Sequence, residues 1–232
     1  MNIHVYGSSS KGNCYVLEHG GDSLMLDIGL NIGELAKKGV LFNKINGVLV
    51  SHVHKDHSKG VKAALRLGVS VYVSEHTKHA LGVKIERNLH SLEHNVLVKI
   101  GKFEILPFKL EHDVPNLGFY IRTENEKILY ITDTYFCRYK FKGLTRILIE
   151  CNHSYSILNE RVKNGELHNS MKNRLINSHF ALENVLMFLQ ANDLSQVKEI
   201  YLIHLSDSNS NADEFKKAVQ RATGKVVIVA DA

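Results

Sequence analysis

The sequence predicts a mixed α/β (α+β) fold in which two sheets pack together and helices cover them. Short apolar runs with strand-like alternation recur along all 232 residues. Amphipathic segments with helical spacing lie between these runs in both halves of the chain, and turn residues such as Gly, Asn and Asp separate them. This pattern is typical of sheets that bury one face and are flanked by helices.

The first half of the chain alternates between predicted strands and short helices. The opening run, NIHVY, alternates like a strand and enters the turn-rich segment GSSSKGN. A helix is predicted over 59–67 because Val61, Ala64 and Leu65 have helical spacing. A shorter helix is predicted over 32–38. The predicted strands of this half are 2–6, 14–17, 23–27, 47–51 and 69–73.

The second half repeats the pattern and ends with the longest amphipathic segments. Helices are predicted over 181–191 and 212–223, where apolar residues recur every three or four positions. The predicted strands are 95–100, 103–109, 118–122, 127–133, 146–150, 199–204 and 225–229. Because no proline-rich linker, repeat or low-complexity tract interrupts the chain, residues 1–232 are predicted to form a single domain.

Composition narrows the classes of function. The formal charge of +5 and a pI near 9.0 favour an anionic partner. Three cysteines without a Cys-x-x-Cys spacing argue against a disulfide framework and against a thiolate zinc site. The chain has no apolar run long enough for a membrane span and no secretory signal at its amino terminus, so we expect a cytoplasmic protein without a membrane partner.

Histidine is the residue type that directs attention to metal chemistry, with fourteen in the chain. Between Ser51 and His57 the sequence reads SHVHKDH, in which His52 and His54 are two apart in extended chain and therefore face the same side. Asp56 and His57 follow on the turn into a helix. Potential ligands also stand at the ends of apolar runs elsewhere in the chain, namely Asp27, His112, Asp133 and His204. Convergence of such donors would form a metal site.

The order of these residues resembles the signature of the metallo-β-lactamase fold superfamily. That signature is H-x-H-x-D-H with an earlier Asp, followed by a His, an Asp and a final His, and this chain contains every part in that order. The resemblance implies a four-layer αβ/βα sandwich with a dinuclear centre of Zn²⁺ or Mn²⁺. One ion would be bound by His52, His54 and His112. The other would be bound by Asp56, His57 and His204, with Asp133 between the two.

Three further segments resemble the narrower WalJ/YycJ-type branch, whose members are regarded as phosphodiesterases or DNA exonucleases. They are GSSSKGNC at 7–14, IECNH at 149–153 and HLSDSN at 204–209. Ser178-His179 resembles the branch's Gly-His and, more distantly, the His-Ser-Thr segment of tRNase Z. The opening segment keeps the length of the branch's glycine-rich loop but has one glycine fewer. The implied substrate is a phosphodiester, with nucleic acid favoured.

The expected mechanism is hydrolysis by a hydroxide that bridges the two ions, with Asp56 serving both as a ligand and in catalysis. His179, oriented by Glu150, is the predicted proton donor to the leaving group. Asp27 is predicted to orient a ligand rather than to bind metal itself. Ser206, Asn209 and His153 are the predicted substrate contacts. A basic segment interleaved with aromatic residues, Arg138 to Arg146, is a candidate track for nucleic acid.

Other functions stay open on the residues alone. A cyclic nucleotide phosphodiesterase or a glyoxalase-like thioesterase would use a closely similar ligand set. A non-catalytic metal-binding protein is the alternative from a different class. A β-lactamase is disfavoured because the chain has no export signal and no cysteine in the matching ligand position. The oligomeric state, monomer or homodimer, is not predicted.

Overall fold

The computed structural model describes residues 1–84 and 87–230. Its strands form two mixed sheets, of six and seven strands, flanked by helices, which confirms the predicted fold class. The strands are β1 (Asn2–Ser9), β2 (Gly12–His19), β3 (Asp22–Leu26), β4 (Ile45–Leu49), β5 (Val71–Ser74), β6 (Leu89–Leu92), β7 (Val98–Ile100), β8 (Phe103–Leu110), β9 (Asn116–Arg122), β10 (Lys127–Ile131), β11 (Arg146–Glu150), β12 (Glu199–Ile203) and β13 (Val226–Val229). The helices are α1 (Ile32–Lys37), α2 (Lys55–Ser58), α3 (Val61–Arg66), α4 (Glu75–Leu81), α5 (Tyr155–Lys163), α6 (Asn169–Ile176), α7 (Leu182–Gln190) and α8 (Ala212–Thr223).

The described residues divide into two compact units. Unit 1 contains residues 1–109 and 114–125, and unit 2 contains residues 110–113 and 126–230. The prediction of a single domain stays a prediction.

Unit 1 contains the six-stranded sheet, in which the strands follow chain order from β1 to β6. The first two pairings are antiparallel and the remaining three are parallel. Because β3 and β4 are parallel and pair Leu26 with Leu49, the residues that follow them leave the sheet at the same edge. Asp27 and Ser51 are therefore brought together.

The core of unit 1 is built from apolar strand residues covered by short helices. Met25, Val48 and Val71 are fully buried in the sheet, and Leu35 of α1 and Val61 of α3 pack against it. Full burial of a side chain of this size stabilises the fold by about 1.5 to 3 kcal/mol. This packing fixes the strand ends that carry the polar cluster described below.

Unit 2 contains four parallel strands in the order β10, β11, β12, β13. Their parallel arrangement delivers Asp133, Glu150 and His204 to the same edge, since each lies at or just beyond a carboxyl end. Helices α7 and α8 bury apolar stripes that include Val185 and Phe215. The candidate site of this unit lies at this edge.

Several elements differ from the sequence prediction. The segment 7–13 is not an extended turn, because β1 and β2 continue as a hairpin through most of it. The helix predicted over 59–67 begins only at Val61 and is preceded by the separate α2, and the strand predicted over 95–100 forms only at β7. Elements α4, α5, α6 and β6 were not predicted. Helices α5 and α6 bury little, with Leu158 the buried residue of α5 and none in α6, so they lack the apolar periodicity that reveals a helix.

In the described part of the chain, no helix combines the length and the apolar character that a membrane span requires. Cys14, Cys137 and Cys151 are free and buried. Burial raises the pKa of each thiol. They therefore serve as small apolar core residues.

Candidate metal centre

The SHVHKDH segment lies in unit 1 between the end of β4 and the short helix α2. His52 and His57 are fully buried, while His54 and Asp56 are half-buried and Lys55 is exposed. The ring centroid of His52 lies 4.7 Å from that of His54 and 4.3 Å from that of His57. The structure thus gathers the histidines of this motif into one cluster, with Lys55 turned to solvent.

Asp27 and Ser51 form the polar base of this cluster. Asp27 Oδ1 accepts a hydrogen bond from the Ser51 backbone N–H at 2.7 Å, and Asp27 Oδ2 accepts one from Ser51 Oγ at 3.0 Å. Asp27 Oδ2 also lies 2.7 Å from His57 Nδ1. Ser51 Oγ lies 3.0 Å from His52 Nδ1. Because the Ser51 hydroxyl proton points to Asp27, Nδ1 of His52 and Nδ1 of His57 each carry a proton. Nε2 is then the nitrogen of each ring that has the lone pair.

Three candidate site residues have left-handed backbones. The φ angles are 55° at Asp27, 50° at Asp133 and 53° at His204. Non-glycine residues enter this region at a cost of roughly 1 kcal/mol or more, and such residues cluster at functional sites. Each lies directly beyond a strand or one residue further on, where the turned backbone redirects the side chain.

The cluster of unit 2 is organised around the buried carboxylate of Glu150. Glu150 Oε1 lies 2.7 Å from His179 Nδ1 and 2.8 Å from His204 Nδ1. Asp133 Oδ1 is 3.2 Å from the same nitrogen of His179. One ligand atom from each of these four side chains lies within 4.8 Å of all the others. The sequence associated Glu150 with His179, and the structure adds His204 as a second histidine on the same oxygen.

Charge and burial act against each other at this cluster. Burial by itself raises the pKa of Glu150, but the His179 charge and hydrogen bonds from His179 and His204 outweigh it, so the pKa is lower than usual. For His179, burial lowers the pKa, yet the Glu150 charge and the Asp133 carboxylate raise it well above its ordinary value. The geometry therefore favours an ionised Glu150 beside a protonated His179.

His112 also belongs to unit 2, where its ring is held by a backbone carbonyl. His112 Nδ1 donates to the Ser178 oxygen at 2.8 Å, and Nε2 lies 3.0 Å from Asp113 Oδ1. Burial lowers the pKa of His112, which favours the neutral ring. The neutral imidazole is the form that binds metal.

The predicted substrate contacts are engaged or buried within unit 2. Asn209 Oδ1 accepts from Arg161 at 2.6 Å, and Asn209 Nδ2 donates to Ser206 Oγ at 3.0 Å. His153 has no exposed surface, and burial lowers its pKa to about 4. A role for these residues in binding substrate stays a prediction.

The basic segment is more restricted than its sequence suggests. Arg146 is bound by Glu126 at 2.7 Å and by Glu199 at 2.8 Å, with little exposed surface. Arg138 forms an ion pair with Glu111. Lys140 and Lys142 are exposed. The structure therefore removes Arg146 from the candidate track.

Some residues of these clusters were not identified from the sequence. Ser51 connects Asp27 to two histidines. It could have been identified from the sequence because it directly precedes His52. Thr134 donates its backbone N–H to Glu150 Oε2, and Ser178 acts through its carbonyl oxygen. Backbone groups are present in every residue, so no residue type marks these two positions.

Comparisons with known proteins identify relatives that match most of the chain. A family profile described as "Beta-lactamase superfamily domain" matches residues 34–205. The chain is 27% identical to exodeoxyribonuclease YycJ of Bacillus anthracis, with 95% of this chain and 89% of that protein covered. It is also 27% identical to exodeoxyribonuclease WalJ of Streptococcus pneumoniae, with coverage of 89% and 82%.

Solved structures show the same fold. The metallo-β-lactamase fold protein YhfI from Bacillus subtilis superimposes with a TM-score of 0.73 at 16% identity, covering 99% of this chain and 96% of that one. The predicted resemblance to the metallo-β-lactamase superfamily and to its WalJ/YycJ-type branch is thereby confirmed. The chain belongs to the family of β-lactamase superfamily domains.

Proposed function

We propose that this protein is a metal-dependent phosphodiesterase that acts on DNA as an exonuclease. The observation that carries the proposal is the pair of buried His and carboxylate clusters at strand ends, in the ligand order of the superfamily. The exodeoxyribonuclease names of the YycJ and WalJ relatives, which match over most of the chain, support DNA as the substrate class. The positive net charge of the chain favours the same class.

The donors of both clusters fit divalent metal. Imidazole and carboxylate groups suit Zn²⁺ and Mn²⁺, and a histidine whose Nδ1 faces a buried carboxylate is the usual partner of such an ion. His57 with Asp27 has this arrangement. We propose two ions per chain, with seven protein ligands: His52, His54, Asp56, His57, His112, Asp133 and His204. When bound, such ions lower the pKa of a coordinated water and offset charge on phosphoryl oxygens.

His179 is the proposed proton donor to the leaving oxygen. Its Nδ1 lies 2.7 Å from Glu150 Oε1, which leaves Nε2 as the atom that can deliver a proton. The side chain of His179 is 20% exposed, whereas that of Glu150 is fully buried. The buried carboxylate therefore holds the ring in place while the ring itself reaches the surface, as a general acid requires.

A comparison of substrates tests the proposed reaction. We expect the protein, loaded with Mn²⁺ or Zn²⁺, to release nucleotides from linear DNA with a 5′ phosphate and to leave closed circular DNA intact. RNA, cyclic nucleotides, bis-p-nitrophenyl phosphate and a glutathione thioester complete the panel. Turnover of the thioester without turnover of any phosphodiester would overturn the proposal.

The donor assignment is tested with His179→Ala on two leaving groups. DNA has a poorly leaving alkoxide, so its hydrolysis should fall by roughly 10²- to 10⁴-fold. Hydrolysis of bis-p-nitrophenyl phosphate, whose nitrophenolate leaves without a proton, should fall far less. His79→Ala, at an exposed position of unit 1, is the control. Equal losses on both substrates would exclude the assignment.

A further inference from the structure

Unit 2 contains a cavity of about 240 Å³ between the segment after Thr134 and helix α7. Four aromatic side chains line it, and no acidic side chain does so among the described residues. They are Phe136, Tyr139, Phe180 and Phe188. Arg138 and Lys140 also contribute to the lining. We refer to this feature as the aromatic pocket.

The aromatic pocket adjoins the Glu150 cluster through the backbone. Glu150 Oε2 accepts a hydrogen bond from the Thr134 N–H at 3.2 Å and from the Phe180 N–H at 3.1 Å. Thr134 Oγ1 donates to the Phe136 carbonyl oxygen at 2.8 Å. The carboxylate that holds His179 therefore also binds the backbone of Thr134, two residues before Phe136, and of Phe180. Phe180 lines the pocket and follows His179 directly in the chain.

Apolar surface in this pocket is left open to solvent. Phe136 is 51% exposed and Met187 is 60% exposed, although both are large apolar side chains. Such exposure costs free energy unless a ligand covers it. The volume is below the roughly 300 to 1,000 Å³ of pockets for drug-sized ligands, so it suits a single planar ring system.

The positive charges in the pocket lining indicate which kind of ring it binds. Aromatic faces beside cations are the combination with which proteins bind bases and phosphates of single-stranded nucleic acid. Arg138 already pairs with Glu111, whereas Lys140 extends into solvent from the pocket wall. Lys140 is therefore the cation assigned to a phosphate.

We propose that the aromatic pocket stacks one base of a single-stranded DNA end, next to the nucleotide whose phosphodiester is cut, while Lys140 contacts the adjoining phosphate. This inference rests on the proposed function, because it specifies how the same site selects its substrate. Phe136 supplies the stacking surface. An exonuclease with this subsite requires at least one unpaired base near the cleaved end.

Binding to a fluorescent single-stranded oligonucleotide tests the pocket without any hydrolysis. Anisotropy is measured with the full chain in chelator, after circular dichroism has shown that each variant is folded. Phe136→Ala should weaken binding at least about five-fold. Leu41→Ala, at a similarly exposed apolar residue of unit 1, should bind like the unchanged protein. Lys140→Ala should lower the slope of log affinity against log salt by about one, and the exposed control Lys217→Ala should not.

A series of oligonucleotides, each with one abasic position, locates the stacked base. One position should weaken binding to the unchanged protein and have no further effect in Phe136→Ala, because both changes remove the same contact. Additive losses at every position would overturn the inference, as would unaltered binding by Phe136→Ala or tighter binding of blunt duplex than of single strand. Nuclease assays on the same metal-loaded variants test the proposed function separately, since DNA hydrolysis without this coupling would refute the pocket alone.

Discussion

Asp27 orients other residues of the candidate site and is not itself a proposed metal ligand. Its two carboxylate oxygens accept hydrogen bonds from the Ser51 backbone N–H, the Ser51 hydroxyl and the His57 ring. The residue is fully buried, so these hydrogen bonds are shielded from bulk solvent and are strong. Positioning of His57 therefore depends on this carboxylate.

Asp27→Asn tests that dependence. The amide keeps the shape but loses the charge, and it can place an N–H against the His57 Nδ1 proton, so the ring loses its orientation. We expect metal affinity to fall about 10- to 100-fold, measured by titration of the metal-free protein with Zn²⁺ or Mn²⁺. Asp213→Asn, in the exposed first turn of α8, is the matched control and should leave affinity unchanged. Unchanged affinity in Asp27→Asn would show that Asp27 acts on the fold alone.

For single residues, the sequence predicts which side chains can bind metal but not which backbone groups hold those side chains in place. His52, His54 and His57 could be predicted to lie together because three metal-binding side chains within six residues of an apolar strand are rare. The Ser178 carbonyl that holds His112 could not be predicted, since it depends on a contact across 66 positions and on a group that every residue has.

Strand β11 connects the stability of unit 2 to its site, because it begins at Arg146 and ends at Glu150. At its start, Arg146 binds Glu126 at 2.7 Å, and Lys198 lies 3.3 Å from the same carboxylate. Burial acts to raise the pKa of Glu126, but hydrogen bonds from Thr145 and Arg146 and the Arg146 charge lower it to about 2. The network therefore holds an ionised carboxylate.

Acid should weaken unit 2 through this network. The pKa of Glu126 is lower in the folded than in the unfolded chain, so its stabilisation is complete above about pH 4.5 and is lost as the pH falls toward 2. Glu126→Gln should lower the free energy of unfolding at pH 7 by about 2 to 3 kcal/mol and flatten its pH dependence within that window. Urea unfolding at pH 7 and at pH 3 measures both. The exposed neighbour Glu124→Gln should change neither, and an equal effect there would contradict the argument.

Elements were predictable to the extent that they bury an apolar stripe. Helices α7 and α8 each pack a regular set of apolar residues, and both were predicted close to their observed bounds. Helix α5 is instead begun by Ser154, whose hydroxyl accepts from the Ile157 N–H, and Leu158 is its one buried residue. Capping and helix propensity form such a helix without a periodic signal.

The two units of the molecule each carry candidate ligands, so metal should contribute to the stability of the whole chain. A ligand that binds only the folded state at 100 times its dissociation constant adds about 2.7 kcal/mol. For a chain of this length that corresponds to roughly 5 to 10 °C in Tm. We expect chelator to lower Tm by this amount and Mn²⁺ or Zn²⁺ to restore it, as measured by calorimetry.

His54→Ala should reduce the restored shift, because it removes a proposed ligand without touching the core. Metal content measured after loading provides the second readout. Fewer than one ion per chain would argue against the metal-dependent hydrolase.

At the scale of the molecule, the sequence predicts the class of fold, whereas the grouping of strands into compact units depends on long-range contacts. Periodic strands that alternate with helices indicate two covered sheets, whichever way the strands are ordered. The separation into units depends on which strands pack closely, as where residues 110–113 group with unit 2 while 114–125 group with unit 1. Local patterns contain no information about such long-range grouping.

The left-handed backbones at Asp27, Asp133 and His204 place stability and activity in competition at three positions. Glycine would relieve the backbone at each, but it would delete the side chain that the site needs. Asn95, with a φ of 62°, carries the same backbone outside the proposed site. Laboratory evolution toward heat resistance alone would therefore accept glycine at Asn95 freely. At the other three positions the same exchange would also remove a proposed ligand or the carboxylate that contacts His57, so there the side chain decides which residue is kept.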